Sequence, residues 1–160
     1  MEWSEQDTTN CSVGRTAEIV GRPWVLLVLR EIFRGLHRFD EIQRHLGVST
    51  AMLARRLEFL AEEGLVVSRP YRVPGRRERN EYHLSAAGRE LFPILAALHE
   101  WGDAHLADDD GPATTYRHRE CGAEVRLTFT CDAGHTLTEG LQEIVAEPGP
   151  GARALGSIPH

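Results

Sequence analysis

Lysine is absent from this 160-residue chain; every one of its 18 Lys-or-Arg positions is arginine. Long hydrophobic runs are absent too. No stretch approaches the roughly 20 apolar residues that a membrane-spanning helix needs, so the sequence offers no transmembrane candidate. The opening MEWSEQDTTN is polar and acidic, unlike the basic and then apolar pattern of a secretory signal, and a cytoplasmic location is expected. Cysteine is scarce: only Cys11, Cys121 and Cys131. An odd count of three makes no disulfide framework, and in a reducing compartment it points to a metal site or a redox-active thiol. No Ser-His-Asp arrangement, phosphate loop or dinucleotide fingerprint occurs, and no internal repeat. The absence of catalytic motifs is weak evidence, and the expectation that the chain is not an enzyme rests on the helix-and-hairpin pattern further along the chain.

What is present is arginine in one place. The formal net charge is −6, which on its face argues against a polyanionic partner. The distribution reverses that: Arg22 to Leu84 carries 12 Arg against 8 acids, and the remainder 6 Arg against 16 acids. Binding to nucleic acid depends on the local basic face and not on the overall isoelectric point. Codon usage in a GC-rich genome accounts for most of the bias toward Arg over Lys, so the argument rests on where the arginines lie.

At this length the chain holds one compact domain, or one domain with a small appendage. Residues 1–10 read as a flexible tail. Ser12 to Val20 reads as a short helix ending at Gly21, and Pro23 suits the first turn of the next helix. That helix, Trp24 to Phe33, has Trp24, Leu26, Leu27, Leu29, Ile32 and Phe33 as its expected buried side. Arg38 to Leu46 places Phe39, Ile42 and Leu46 at helical spacing, and Gly47 allows a tight turn. Ser49 is an N-cap residue for a helix over Thr50 to Glu63, whose Leu53, Leu57 and Leu60 face inward. Leu65 to Val73 then reads as a strand that Pro70 confines to an edge. An Arg-rich loop, PGRRER, leads to a return strand over Glu81 to Leu84. A long helix capped by Ser85 follows, to about Leu106, with Pro93 kinking it or marking a late start. Two short helices joined tightly, then a hairpin with an Arg-rich tip, suit a domain that puts one helix into a DNA groove and the hairpin beside it.

With those residues in view, CSVGRTAEIVGRPWVLLVLREIFRGLHRFDEIQRHL, STAMLARRLEFLAEEGLV and RNEYHLSAAGRELFPILAALHEWG together resemble the HxlR family of bacterial winged helix-turn-helix regulators. The resemblance covers about Cys11 to His105. It implies an α+β, mainly α fold: a winged helix-turn-helix over 11–107 with a long C-terminal dimerisation helix. A small hairpin-containing extension over 113–146 and a disordered tail over 147–160 complete the expected layout. It further implies a homodimer that binds double-stranded DNA, a recognition helix in the major groove, a wing at the minor groove, and control of genes by a redox or small-molecule signal. Two positions depart from the family pattern. Ala51 stands where relatives often carry Asn, and Arg22-Pro23 replaces the usual Gly-Lys.

Within that frame Thr50, Met52 and Arg55 are the expected base contacts, and Ser49 and Arg56 the expected phosphate contacts; Phe59 is also expected on an exposed face. Arg76, Arg77 and Arg79 form the wing tip, where an Arg can enter a narrow minor groove. Arg38 and Arg44 on the preceding helix are further phosphate candidates. Cys11 matches an N-terminal Cys that some relatives use as a sensor. Arg15 lies one turn away and a helix follows, both of which favour a thiolate; the alternative is a small apolar packing residue. Trp24, Phe92 and Trp101 are candidates for an effector pocket between the long helix and the winged domain, or simply for the core. His118, Cys121, Cys131 and His135, spaced H-x2-C-x9-C-x3-H, could form a zinc site, a degenerate ribbon held by packing, or a Cys121–Cys131 pair that oxidises. No cofactor is otherwise required. His37, His45, His83 and His99 lack spaced partners and read as surface or packing residues. The competing reading is a winged helix used for protein contacts without specific DNA binding.

Overall fold

The computed structural model describes residues 3–75 and 77–156. Six helices and one hairpin follow in order: α1 (Ser12–Val20), α2 (Val25–Phe33), α3 (Phe39–Leu46), α4 (Thr50–Glu62), β1 (Val66–Tyr71), β2 (Arg79–Leu84), α5 (Ala86–Arg89) and α6 (Phe92–Leu106). Single 3₁₀ turns lie at Trp3–Glu5 and Gly140–Glu143. The architecture is mainly helical with one antiparallel hairpin, in agreement with the expected class.

Helix α2 is the centre. Val25, Val28, Leu29 and Ile32 fall at i, i+3, i+4 and i+7 and are buried, the stripe that a core-facing helix presents. They pack with Ile42 of α3 and with Leu53, Leu57 and Leu60 of α4. Each such side chain contributes about 1.5–3 kcal/mol on full burial. This corrects the expected face: Trp24 and Leu27 are exposed, and Val25 and Val28 take their place. The expected set spanned too much of the helix circumference to share one core. The helix also starts one residue late. Trp24 is its N-cap, in the left-handed conformation at φ 72°, a position that costs a bulky residue about 1–2 kcal/mol. Pro23 precedes the cap and is not in the first turn.

β1 and β2 pair in register from Val66↔Leu84 to Tyr71↔Arg79, so β2 begins two residues before the expected Glu81. The α2–α3 loop adds to β2: the Tyr82 N–H donates to the His37 carbonyl, and Arg38 bridges Glu81. Pro93 marks a start and not a kink, because it occupies the first turn of α6 while α5 is a separate turn of helix. Gly88 of α5 crosses the end of β1, where a Cβ would lie 2.1 Å from the Leu65 carbonyl oxygen.

Helix α6 meets three environments. Leu91, just before it, and Leu95 pack on the core. Phe92, Ala96, His99 and Asp103 face the extension after residue 111. Leu98 and Trp101, 49 % and 57 % exposed, lie on neither. In the extension the sequence suggests a short hairpin with Val125, Leu127 and Phe129 as its best strand. The structure has two tight turns instead, closed by the bridges Arg117↔Glu124 and Thr130↔Thr136. Residues 5–7 and 153–155, within segments expected to be loose, pair with each other: the Asp7 N–H donates to the Arg153 carbonyl at 2.8 Å, and the Leu155 N–H to the Glu5 carbonyl at 2.7 Å.

Candidate nucleic-acid interface

The turn between α3 and α4 is fixed by three local devices. Gly47 takes the left-handed conformation (φ 65°) that ends α3, where a Cβ would be strained. The Ser49 hydroxyl accepts the Met52 N–H at 3.2 Å and caps α4. Gln43 then spans the turn, its amide donating to the Val48 carbonyl (3.3 Å) and the Thr50 hydroxyl (2.9 Å). Sequence reasoning does not single out Gln43; its signal is an amide on one helix seven residues before a Thr, across a glycine turn.

The first turns of α4 leave Ser49, Thr50 and Arg55 exposed and Met52 half-buried. Arg55 makes no ion pair with a described residue. Arg56 is placed differently. Its Nε donates to the Pro23 carbonyl at 2.9 Å, which ties α4 to the strained corner at Trp24. Phe59 is buried, contrary to expectation, with the Arg22 guanidinium 4.0 Å above its ring. It lies outside the Leu53/Leu57/Leu60 stripe but is covered by the α1–α2 corner, which periodicity within α4 cannot reveal.

Four arginines meet between α3 and the wing. Arg38, Arg44, Arg77 and Arg79 line one cleft, with Asp40 and Glu41 among them. Arg38 is held rather than free: its Nε lies 3.2 Å from Glu81 and its guanidinium 4.8 Å over the Tyr71 ring. The hydrogen bond from Arg38 holds the Glu81 carboxyl below its ordinary range. Arg44 and Arg79 each reach Asp40 only at 4.0 Å. Exposed contacts that long are worth a few tenths of a kcal/mol, roughly, so both remain available to a phosphate. Arg76 lies outside the described residues. Exposed Arg72, at the base of the wing, is a cation the sequence argument does not select.

Cys11 is the N-cap of α1. Its Sγ accepts the Gly14 N–H at 3.4 Å and is exposed, in contact with a cleft formed with residues 149–152. Of the three aromatic pocket candidates, Phe92 lines the cleft beside α6, and Trp24 and Trp101 do not line that cleft. Trp24 sits at the α2 corner, and Trp101 tilts against His105 at 4.9 Å.

The Cys/His constellation divides into two pairs. Cys121 Sγ lies 3.2 Å from His118 Nδ1, and Cys131 Sγ 3.5 Å from His135 Nδ1. The turns sit at opposite ends of residues 124–130, about 20 Å apart if that segment is extended. Among the described residues no group of three His, Cys, Asp or Glu side chains could hold a metal. The four residues therefore do not fit a tetrahedral zinc in this geometry. The Cys131 thiol is held below its ordinary 9.0 by backbone N–H groups, chiefly His135 and then Ala133. Iodoacetamide labelling of Cys131, followed by peptide mass spectrometry, is expected to reach half its maximal rate at a lower pH in the folded chain than in the urea-unfolded chain; equal midpoints contradict this turn geometry.

Comparison with known proteins bears on the family and the fold. The HxlR-like helix-turn-helix pattern matches residues 19–110. The chain is 43% identical over 145 residues to Rv3095 of Mycobacterium tuberculosis, an uncharacterized HTH-type transcriptional regulator, covering 89% of each. The crystal structure of the transcription-factor candidate PA1607 superposes with a TM-score of 0.77 at 32% identity, over 88% of this chain and 96% of that one. The redox regulator HypR in its reduced form matches with a TM-score of 0.52 at 29% identity, over 57% of this chain and 90% of that one. A helix-turn-helix with its turn pinned by Gln43, an Arg-rich wing beside it and these likenesses lead to one conclusion: the chain belongs to the HxlR-like helix-turn-helix family and is a winged-helix transcriptional regulator, not an enzyme.

Proposed function

We propose that the protein acts as a homodimeric repressor that places α4 in the major groove and the 74–79 wing at the minor groove. The observation that carries this reading is the four-arginine cleft beside the helix-turn-helix. It offers phosphate contacts next to the exposed Thr50 and Arg55, the side chains able to reach base edges. Dimerisation is supported by the open side of α6, where Leu98 and Trp101 are exposed. Apolar area of that kind is the usual mark of a protein contact. The signal is a redox or small-molecule one. Cys11 at a helix N-terminus supports the first, as does the likeness to HypR, a redox regulator.

Fluorescence anisotropy of the reduced protein on DNA from upstream of its own gene, against scrambled DNA, tests the reading. Binding at least about 10³-fold tighter to the native sequence is expected. Arg55→Ala should cost about 1–3 kcal/mol and relax specificity at one base position. Arg77→Ala with Arg79→Ala should weaken both DNAs alike and lower the salt slope by about 2. Light scattering should give twice the 17.9 kDa chain mass, and transcription from that promoter in vitro should fall as protein is added. Equal, weak binding to both DNAs would move the role of the winged helix to protein contacts.

A further inference from the structure

The cleft between α6 and the extension is the least explained part of the molecule. It encloses about 450 Å³, within the range of small-ligand sites, about 300–1,000 Å³. One wall is aromatic. Tyr116 meets the edge of Phe92 at 5.3 Å and of His99 at 4.9 Å, both near-perpendicular. The rim is acidic: Glu100, Asp103 and Glu124 line it, against Arg126 as its one full cation. These acids are only partly satisfied from within. Arg126 faces Glu124 at 3.3 Å, His99 Nε2 lies 3.2 Å from Asp103, and Glu100 spends one oxygen on the Leu127 N–H at 2.7 Å. With His99 neutral the rim carries a net charge of −2. The acids do not gather as metal ligands, since no group of three suitable side chains is found among the described residues. Carboxylates spread around an aromatic wall fit an organic cation, because a ring face and an acid both attract an ammonium group.

We propose that this cleft is an effector site for a small aromatic ammonium compound, a ring seated on Phe92 and Tyr116 with its cationic arm toward Asp103 and Glu124. The site is wired to the DNA-binding unit at the end of α2. Phe92 packs on Phe33, the last residue of α2, at 5.5 Å. The Arg34 guanidinium, one residue on, donates to the Thr114 hydroxyl at 2.8 Å. A ligand that moves Phe92 or residues 114–116 thus bears on the helix that supports α3 and α4. Binding stands by itself; its regulatory consequence rests on the DNA-binding reading above.

Three probes of one shape and different charge test the proposal on the full chain: 2-phenylethylammonium, 2-phenylethanol and phenylacetate, by calorimetric titration and thermal shift. The ammonium is expected to bind most tightly, the alcohol more weakly and the acid least. Asp103→Asn and Glu124→Gln should each cut the preference for ammonium over alcohol by about two- to fivefold, as for exposed ion pairs. Both replacements are close in shape, and the unliganded melting temperature checks folding. Equal binding of all three probes, no binding of any, or an unchanged preference in the double variant overturns the site. DNA affinity is then measured with and without the ammonium. A change supports the coupling, and bound probe with unchanged affinity overturns it. Failure to bind DNA without any probe overturns only the DNA reading.

Discussion

Gly88→Ala is expected to lower stability by about 1–3 kcal/mol or more, the range of overpacking in a close-packed site. The added Cβ would stand 2.1 Å from the Leu65 carbonyl oxygen and 3.0 Å from its carbon. Backbone cannot swing aside as a side chain can. That oxygen also accepts the Ser85 N–H at 3.0 Å, and the Gly88 N–H donates to the Ser85 hydroxyl at 3.0 Å. A shift at Gly88 therefore disturbs the cap of α5 and the end of β1 together. Gly102→Ala in α6 is the matched control. Nothing lies within 4 Å of its Cβ position, so it should gain up to about 1 kcal/mol from helix propensity. Urea denaturation of both variants decides the point, and equal midpoints would mean that α5 does not cross β1 this closely.

His45→Ala should destabilise the fold more than Glu31→Met, although Glu31 is the fully buried residue of the pair. Glu31 lies on α2 at 0 % exposure, with Arg30 at 2.6 Å from one oxygen and His45 Nδ1 at 2.7 Å from the other. Among the described residues the second oxygen accepts no hydrogen bond, so the 2.7 Å contact with His45 is what it has to offset its burial. Losing His45 leaves a buried carboxylate oxygen unpaired, which costs about 1–3 kcal/mol, toward the lower end because half-exposed His45 leaves room for water. Glu31→Met removes the need for a partner and nearly keeps the volume; such replacements are often neutral or stabilising. Thermal unfolding of the two single variants gives the order directly. A larger loss for Glu31→Met would show that the ion pair adds net stability.

These two sites also mark where sequence reasoning stops. The elements were legible because each carried a local signal. Leu53, Leu57 and Leu60 at one-turn spacing, the Ser49 cap and the turn at Gly47 delimit α3 and α4 to within a residue. Glu31 was not legible as core, because a carboxylate reads as solvent-facing until its partner, fourteen positions on, is brought beside it by the α2–α3 turn. Phe59 and Arg56 were misplaced or incompletely placed for a related reason. What covers or holds them is the α1–α2 corner, far away in sequence. The Arg-rich loop between the strands and the place of Cys11 just before a helix were visible because composition and helix boundaries are local. The division of the Cys/His constellation was not, since H-x2-C-x9-C-x3-H spacing fits one site or two equally well until residues 124–130 set the separation.

The pairing of the first and last segments has an entropic meaning. Asn10 and Gly151 touch across 141 positions of sequence. Closing a flexible loop costs free energy that grows only with the logarithm of its length, so halving that separation would save only about 0.6 kcal/mol. The two backbone hydrogen bonds between 5–7 and 153–155 cannot supply the whole closure cost by themselves. The folded winged domain and extension must first bring the ends near, after which zipping them together costs little. The clasp is thus a readout of the completed fold, the last segment to close and the first to open, and its Gln6 and Asp7 line the Cys11 cleft.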